Sequence, residues 1–573
     1  MSSNFMSLLD SEPIPLSDRF AKIKRNLIAG HEKAVADSFC RLLRQLRQEA
    51  DHIAAYGLDI IPTIDYLDIH DAAAVSAFRQ ALRKRGVAVI RRVVPPDVAL
   101  AWKHETLDYL AHNPARGLPP HDPQLFDLYW SPGQVRARAD SRVLEAQRFA
   151  MGAWRTGDDD DAPVSTRHPV AYADRLRVRR PGDAALGTGP HVDGGSVERW
   201  EPDGYGRGRG GGAYARVFEG RWEQYDPWDG GARLAATADL YNGAGSCSVF
   251  RMFQGWVSLS RITPGSGSLL ACPMLQLTTA YLLLRPFFSP RRGPPGSDPL
   301  TATATAAAAA AAPSVAEFLH ESNWTLNVSQ TSVLHGAVPG YIQELTASLH
   351  PHLRLPRTMV PVPRVEPGDY VLWHPDTVHA TDPVHLGGGD ASVIYLPACP
   401  LTQTNALYLA RQRRAFLLGL PAPDFAGGGG RRCSSITTTH TTIRGNGVGG
   451  GCWAEGEHTG RPGVQEVSDA GGEGGLRSMG LLPFDASAVE QEEAEAEEDK
   501  EEEEQGEEEY DGNKKKKKKS SSRRERRDKT ERDLVRLANG ILFPDRFDAL
   551  YKRGRGGGGG GGGGGGVGGG KKL

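Results

Sequence analysis

The sequence lacks the features of a membrane or secreted protein. It has no run of about 18 apolar residues, so we predict no transmembrane helix. The opening residues MSSNFMSLLDSEPIPLSDRF have neither a basic start nor a long apolar stretch, which predicts no secretory signal. The six cysteines are scattered and form no C-x-x-C pair, a pattern typical of reduced, structural thiols. We therefore expect an intracellular, cytoplasmic protein.

An excess of charge of either sign is also missing. Among 573 residues, 68 Lys and Arg stand against 70 Asp and Glu, so the chain has no overall field that would attract nucleic acid or a membrane surface. We expect neither as a partner. The composition does not indicate an oligomeric state.

Charge is instead concentrated in one block near the end of the chain. Residues 490–511 are rich in Glu, with 13 Glu among 22 residues, and are followed by Lys514–Lys519. Such blocks stay solvated, so we predict a disordered insertion over 489–530. Apolar residues return in DLVRLANGILFPDRFDALY, which predicts a helix over 531–552 that docks on the core, before a disordered poly-Gly tail over 553–573. Three alternatives stay open for the block: a nuclear import signal, a nucleic-acid patch, or a scaffold that recruits partners.

The first 110 residues predict a helical region with one strand. Residues 32–55 place apolar side chains at helical spacing, and DAAAVSAFRQALRKRG predicts a second helix that ends at Gly86. VAVIRRVV, residues 87–94, is a β-branched run typical of a strand. Pro95 and Pro96 then start another helix.

A β-rich domain is predicted over 111–488, with a loop insertion at about 289–313. Short strands in SCSVFRMFQGWVSLS, GSLLACP, TMVPVPRV, DYVLWH and ASVIYLP are separated by Gly, Pro and Asp. This pattern indicates a barrel or sandwich rather than a parallel α/β sheet. The expected fold class is mainly β with flanking helices.

The stretch GTGPHVDGGSVERWEP contains a candidate pair of metal ligands. In a strand, His191 and Asp193 would point to the same side, while Gly194 and Gly195 would let the backbone turn sharply and leave room for a ligand. An imidazole and a carboxylate arranged in this way form two-thirds of the two-histidine, one-carboxylate triad that binds non-haem Fe(II). The triad needs a distant second histidine.

The second histidine is sought in VEPGDYVLWHPDTVHATDPVH, residues 365–385. His379 is preferred because it follows a strand-and-turn unit that could return it to the mouth of a barrel. His374 is the second choice, although next to Trp373 it could be a packed strand histidine. His385 is typical of a loop residue.

The combination of HVDGG with PGDYVLWHPDTVHA resembles the Fe(II)/2-oxoglutarate-dependent oxygenase superfamily. Within it the chain is similar to the clavaminate-synthase-like proteins, in the domain-of-unknown-function 1479 branch. The resemblance runs from LSDRFAKIKRNLIAG to GLLPFDASA and returns in ANGILFPDRFDALY. It includes YWSPGQVRARADSRVLEAQRFAMGAWR, HVDGGSVERWEPDGYGR, FRMFQGWVSL, LHPHLRL and YLPACPLTQTNALYLARQR.

The resemblance implies a fold and an activity. The fold would be a double-stranded β-helix (jelly-roll, cupin-like) core plus N-terminal helices. His191, Asp193 and His379 would be catalytic as the ligands of Fe(II), and 2-oxoglutarate and O₂ would take the remaining positions. The expected reaction is hydroxylation of an unknown small molecule, with 2-oxoglutarate converted to succinate and CO₂.

One feature departs from that family pattern. Many relatives carry a basic residue shortly after the distal histidine that pairs with the far carboxylate of 2-oxoglutarate, but here the next basic residue is Arg411. Arg251 is the first replacement considered and Arg285 the second, because Arg suits a carboxylate best. Either could instead be a structural ion pair or a surface residue. The missing basic residue keeps an alternative function open. The chain could be a metal-binding jelly-roll protein that does not use 2-oxoglutarate, such as another enzyme or a ligand sensor.

Overall fold

The computed structural model describes residues 13–156, 162–243, 247–294, 314–425, 454–485 and 511–546, with no side-chain description for 511–526. Most of the predicted loop insertion, the acidic part of the charged block at 489–510 and the Gly-rich tail at 553–573 lie outside the described residues.

Helices account for much of the regular structure. Their bounds are α1 Arg19–Ile28, α2 Glu32–Tyr56, α3 Ala72–Arg85, α4 Pro96–His112, α5 Pro132–Ala139, α6 Ser141–Met151, α7 Ala215–Phe218, α8 Leu275–Leu284, α9 Val315–Leu319, α10 Leu355–Thr358, α11 Gln403–Leu418, α12 Val464–Ser478 and α13 Asp511–Leu542. Helix α3 shows the local causes: the Asp71 side chain accepts from the Ala74 amide at its start, and Gly86 ends it in the left-handed conformation.

The strands form two main sheets. Their bounds are β1 Thr63–Asp65, β2 Val87–Arg91, β3 Gly117–Leu118, β4 Leu125–Phe126, β5 Leu176–Arg179, β6 His191–Val192, β7 Gln254–Ser258, β8 Leu269–Ala271, β9 Phe288–Pro290, β10 Trp324–Leu326, β11 Gln343–Glu344, β12 Val360–Pro361, β13 Tyr370–Trp373, β14 His379–Thr381 and β15 Ala391–Tyr395. The large sheet has the order β1-β2-β13-β7-β15-β5-β4-β3 and the small sheet β11-β6-β14-β8-β12, while β9 pairs with β10.

The main core lies against the inner face of the large sheet. On β13, Val371 and Trp373 belong to the cluster that contains Val192 and Ala271 of the small sheet, whereas the alternate residue Leu372 packs on the other side. This alternation is the period of two expected for a strand that is buried on both faces. The described residues of the core therefore join the two sheets through one face of β13.

The sequence-based elements are largely confirmed, with one difference in proportion. The helices expected over 32–55 and after residue 71, the strand at 87–94 and the strands of the β-rich region all form. Helices and sheets coexist as expected, but in the described ranges helices hold more residues than strands. The expectation of a mainly β chain is wrong in this respect, because many connections between strands contain helical turns.

The end of the chain returns to the core through α13. Its residues Leu534, Val535, Ala538 and Leu542 pack in a cluster with α11. The helix starts at Asp511 rather than at residue 531, so one helix crosses the expected boundary at 530. Lys and Arg are good helix formers, which accounts for the longer helix. No helix in the part of the chain that the structure describes is long and apolar enough to cross a membrane.

Candidate metal centre

The structure brings His191, Asp193 and His379 together at one end of the small sheet. His191 starts β6 and His379 starts β14, and the two residues are direct antiparallel partners. Asp193 follows β6 immediately. One ligand atom from each residue lies within 4.8 Å of the other two. This is the juxtaposition that the H-x-D pattern and the preferred distal histidine predicted.

The hydrogen bonds of the two histidines fix which nitrogens face the carboxylate. The Nδ1 of His191 lies 2.7 Å from the Gly189 carbonyl, and the Nδ1 of His379 lies 3.0 Å from the Thr377 carbonyl. Carbonyls only accept, so we assign the proton of each neutral ring to Nδ1. Each Nε2 then presents a lone pair, 3.5 Å from Asp193 Oδ1 for His191 and 3.2 Å from Oδ2 for His379.

This donor set fits a divalent transition metal. Two imidazole lone pairs and a carboxylate that face one another repel unless a cation lies between them. Backbone carbonyls that hold the outer N–H of ligating histidines are the usual support of such a centre. Burial lowers the pKa of His191, and the neighbouring His379 lowers it further, so the ring stays neutral. Burial opposes ionisation of Asp193, but its interactions with His191 and His379 outweigh burial and hold its pKa below the usual range.

Gln254 is a further residue of the site, and the sequence reasoning did not find it. Its Nε2 donates to Asp193 Oδ2 at 2.9 Å, which orients the carboxylate. Gln254 stands at the start of β7, directly opposite Trp373 of β13, whose ring lies 5.2 Å from that of His379. The large sheet thus supports the ligands of the small one. An inward-facing Gln at the start of a buried strand was the available signal.

The glycines after Asp193 are required by close packing. A Cβ on Gly194 would lie 3.1 Å from Arg199 Nη2 and 3.2 Å from Asp376 Oδ1, and Gly195 has φ +90°. The Gly194 carbonyl accepts from the Tyr205 hydroxyl at 2.7 Å. The turn is therefore pressed against a buried polar cluster on the side away from the ligands.

That cluster is centred on Asp376. Arg199 donates to Oδ1 at 2.8 Å and Arg233 to Oδ2 at 2.5 Å, and the hydroxyl of Tyr214 lies 3.2 Å from both oxygens. Burial opposes ionisation of Asp376, but Arg233 and Arg199 outweigh it and hold its pKa well below the usual range. Two guanidinium groups bound to one carboxylate form a rigid cluster, against which the turn at Gly194 and Gly195 packs.

The alternative histidines are committed elsewhere. His374 stacks on Trp154 at 4.7 Å, its Nδ1 accepts from the Asp376 amide and its Nε2 lies 3.0 Å from the Pro227 carbonyl. Burial, followed by the Arg233 charge, lowers its pKa to about 3. His385 lies in the loop after β14, where its Nδ1 accepts from the Gly387 amide. Neither histidine belongs to the candidate metal-binding group, which consists of His191, Asp193 and His379.

The two arginines predicted to bind the co-substrate occupy different environments. Arg251 interacts electrostatically with Asp193, which places it near the ligands. Arg285 ends α8, where it donates to the Leu349 and Phe288 carbonyls and lies over the Trp324 ring. No described contact joins Arg285 to the metal-binding group. Arg285 is therefore neither the surface residue nor the ion pair that the sequence left open, because it is buried and its described donors bind backbone carbonyls.

Arg177 is a basic residue that the sequence reasoning missed. It lies on β5 opposite Val393 of β15, on the face away from Leu176. Its Nη1 donates to the Tyr395 hydroxyl at 3.4 Å and its Nη2 to the Leu186 carbonyl at 3.0 Å. The same carbonyl accepts from Thr381 Oγ1 at 3.3 Å, and Thr381 shares the face of His379 on β14. A strand LRVR before the HVDGG motif was the available signal.

The fold thus consists of two main sheets, and a group of two histidines and one carboxylate lies where β6 and β14 of the small sheet meet. This arrangement defines a protein with a candidate metal centre. The particular family follows from the comparisons. A family model described as Gig2-like matches residues 14–481, and the chain belongs to the Gig2-like family. The Escherichia coli (strain K12) protein YbiU is 30% identical over 389 residues, which cover 66% of this chain and 82% of YbiU.

Solved structures with the same fold are known. GlcNAc Inducible Gene 2, GIG2 (DUF1479), from Candida albicans is similar with a TM-score of 0.68 and 24% identity, over 95% of this chain and 99% of that one. A Salmonella typhimurium LT2 protein, named as a proposed oxidoreductase, is similar with a TM-score of 0.61 and 27% identity, over 82% of this chain and 99% of that one.

Proposed function

We propose that the chain is a non-haem Fe(II)/2-oxoglutarate-dependent dioxygenase that hydroxylates a small molecule. The observation that carries the proposal is the metal-binding group itself, in which His191 and His379 present Nε2 lone pairs to the Asp193 carboxylate. Two histidines and one carboxylate that leave positions vacant are the ligand set of this enzyme class. The oxidoreductase name of the Salmonella relative supports the same class.

The course of the strands supports the finer fold, a double-stranded β-helix. From β5 to β8, and again from β12 to β15, consecutive strands alternate between the large and the small sheet. In this path the strands wind around a common interior, and the ligands come from the second and the seventh of these eight strands. The described core side chains between the sheets fill the interior.

We assign the far carboxylate of 2-oxoglutarate to Arg177. Arg177 faces the interior next to the Tyr395 hydroxyl, and Thr381 brings a hydroxyl from the strand of His379. A guanidinium and two hydroxyls form a suitable set of donors for a carboxylate. Arg177 would therefore supply the charge that relatives place after the distal histidine, on a strand paired with β15.

Within this assignment the protein positions reactants. The metal, when bound, would supply coordination of the co-substrate and activation of O₂. His191, Asp193 and His379 would hold it on one side only. Gln254 keeps the carboxylate oriented, and the buried backing behind Gly194 prevents the turn from moving.

The test is anaerobic addition of Fe(II) and then 2-oxoglutarate, followed by visible absorption. We expect a weak charge-transfer band in the wild type, none in Asp193→Ala, and roughly 10- to 100-fold weaker 2-oxoglutarate binding in Arg177→Gln, because a charge-assisted contact is lost. Arg261→Gln, which removes an exposed arginine paired with Glu366, is the matched control. Bound iron without any band would refute the proposal and favour a metal-binding protein that does not use 2-oxoglutarate.

A further inference from the structure

Arg251 is a cation without a described partner near the metal-binding group. Its side chain is partly buried, and it forms no hydrogen bond, ion pair or ring contact with any residue in the described ranges. Its electrostatic interaction with Asp193 places it close to the ligands. Burial opposes the charge of this guanidinium and Asp193 favours it, but its N–H donors have no described hydrogen-bond acceptor, which is costly for a buried polar group.

Apart from Asp193, the described residues around Arg251 offer no counter-ion. Its electrostatic neighbours besides Asp193 are Cys247, Tyr172 and Cys399, and burial raises the pKa of each, so all three are neutral. Two other carboxylates lie near Tyr172, namely Asp174, which pairs with Arg175 at 3.6 Å, and Asp424. The Asp424 carboxylate is engaged by hydrogen bonds. It accepts from Ser248 Oγ at 2.6 Å, from the Ser248 amide at 2.9 Å and from the Tyr172 hydroxyl at 3.0 Å.

Asp193 cannot serve as the counter-ion while it binds a metal. Both of its oxygens face the histidine nitrogens, and Oδ2 already accepts from Gln254. In the metal-loaded protein this carboxylate neutralises the cation that it holds. Arg251 is then left as a second positive charge beside the centre.

Arg251 and Arg177 are associated with opposite ends of β7. Gln254 marks the level of Asp193, and Arg177 stands beside Val393, which pairs with Ser258 of β7. Ser258 is four residues further along the strand, about 13 Å at ~3.3 Å per residue. Arg251 precedes Gln254 by three residues, so it lies in the segment before β7, at the end of the strand away from Ser258. The two arginines are therefore associated with opposite ends of β7.

We propose that Arg251 recognises the substrate, and that the substrate is a small organic acid whose carboxylate pairs with this guanidinium. The inference rests on the proposed function for the identity of the centre. Because Arg177 takes the co-substrate carboxylate at one end of β7, Arg251 is left for a second molecule at the other end. The planar guanidinium matches a carboxylate with two parallel hydrogen bonds.

The experiment is anaerobic calorimetry on the full chain loaded with Fe(II), with and without saturating 2-oxoglutarate. The probes are a series of short monocarboxylic acids without a neighbouring keto or hydroxyl group, each paired with its primary amide. We expect acids to bind and amides not to bind. Arg251→Gln should weaken acid binding roughly 10- to 100-fold. Arg251→Lys should keep the preference for acids, and Arg261→Gln should bind like the wild type.

Three results would overturn the inference: equal acid binding in Arg251→Gln, amides that bind as tightly as acids, or no acid bound by the wild type at millimolar concentration. Melting temperatures within a few degrees across the variants confirm that each has folded. The same samples report the 2-oxoglutarate absorption band. A missing band with Arg251-dependent acid binding rejects the dioxygenase and keeps the acid site, whereas a band without such binding does the reverse.

Discussion

Replacing Gln254 by Leu should lower the affinity for the metal without lowering the stability of the apo protein. The Gln254 amide donates to Asp193 Oδ2 at 2.9 Å, while its Oε1 has no partner among the described atoms. Loss of a hydrogen bond to a charged group is worth about 1.5–3 kcal/mol, and loss of such a supporting contact typically weakens metal binding 10- to 100-fold. The two ranges agree, since 1.4 kcal/mol corresponds to about tenfold.

The stability of the apo protein should hardly change, because the lost hydrogen bond to Asp193 is offset by the removal of a buried atom without a partner. Leu removes the buried Oε1, whose lack of a partner costs about 1–3 kcal/mol, and keeps most of the volume. Affinity is measured by chelator competition for Fe(II) under anaerobic conditions, and stability by urea denaturation. Gln343→Leu is the matched control, because Gln343 is also buried on a small-sheet strand but donates to the His335 carbonyl. Unchanged metal affinity in Gln254→Leu would refute the reasoning.

Three further predictions concern the fold. Gly368→Ala should cost about 3 kcal/mol or more in urea denaturation, because Gly368 has φ +91° and a Cβ would meet the Val94 carbonyl at 1.9 Å, whereas Gly389→Ala, with open space around it, should be close to neutral. Burial raises the pKa of Glu455 from 4.5 to about 7, so between these pH values the folded chain binds more protons than the unfolded chain. The free energy of unfolding should therefore fall as the pH rises from about 4.5 to about 7. Glu455→Gln should flatten that fall, as measured by urea denaturation at both ends of the pH range. Leu542→Ala should cost about 2–5 kcal/mol at a fully buried site, and Leu537→Ala, which is 45% exposed on the same helix, much less; equal losses would contradict the docking of α13.

The sequence was sufficient for the local elements and for the proximity of His191, Asp193 and His379, whose role as ligands stays a prediction. Periodicity and capping residues predicted α2, α3 and β2, since these signals act within one segment. His191 and Asp193 could be paired because strand alternation is a local rule. The choice of His379 over His374 drew on position and resemblance, and the structure adds a physical reason, because both ring nitrogens of His374 contact backbone groups.

The residues that support the centre could not be predicted in the same way. Gln254 and Arg177 matter because of which strands pair and in which register, and their partners lie far away along the chain. Arg285 was the second choice because Arg suits a carboxylate, but it directly follows a helix that is almost entirely buried. An apolar run does not reveal which way a single polar side chain will point.

The C-terminal helix has a consequence for the candidate substrate arginine. Leu534 and Val535 of α13 belong to the same apolar cluster as Val249, Tyr172 and Cys399, and the last two are the neutral neighbours of Arg251. Truncation of the chain before α13 would expose this apolar cluster to solvent and let water reach the Arg251 guanidinium. Shortened versions of the chain would then retain His191, Asp193 and His379 yet change the surroundings of Arg251, so experiments on ligand binding should use a chain with its last helix intact.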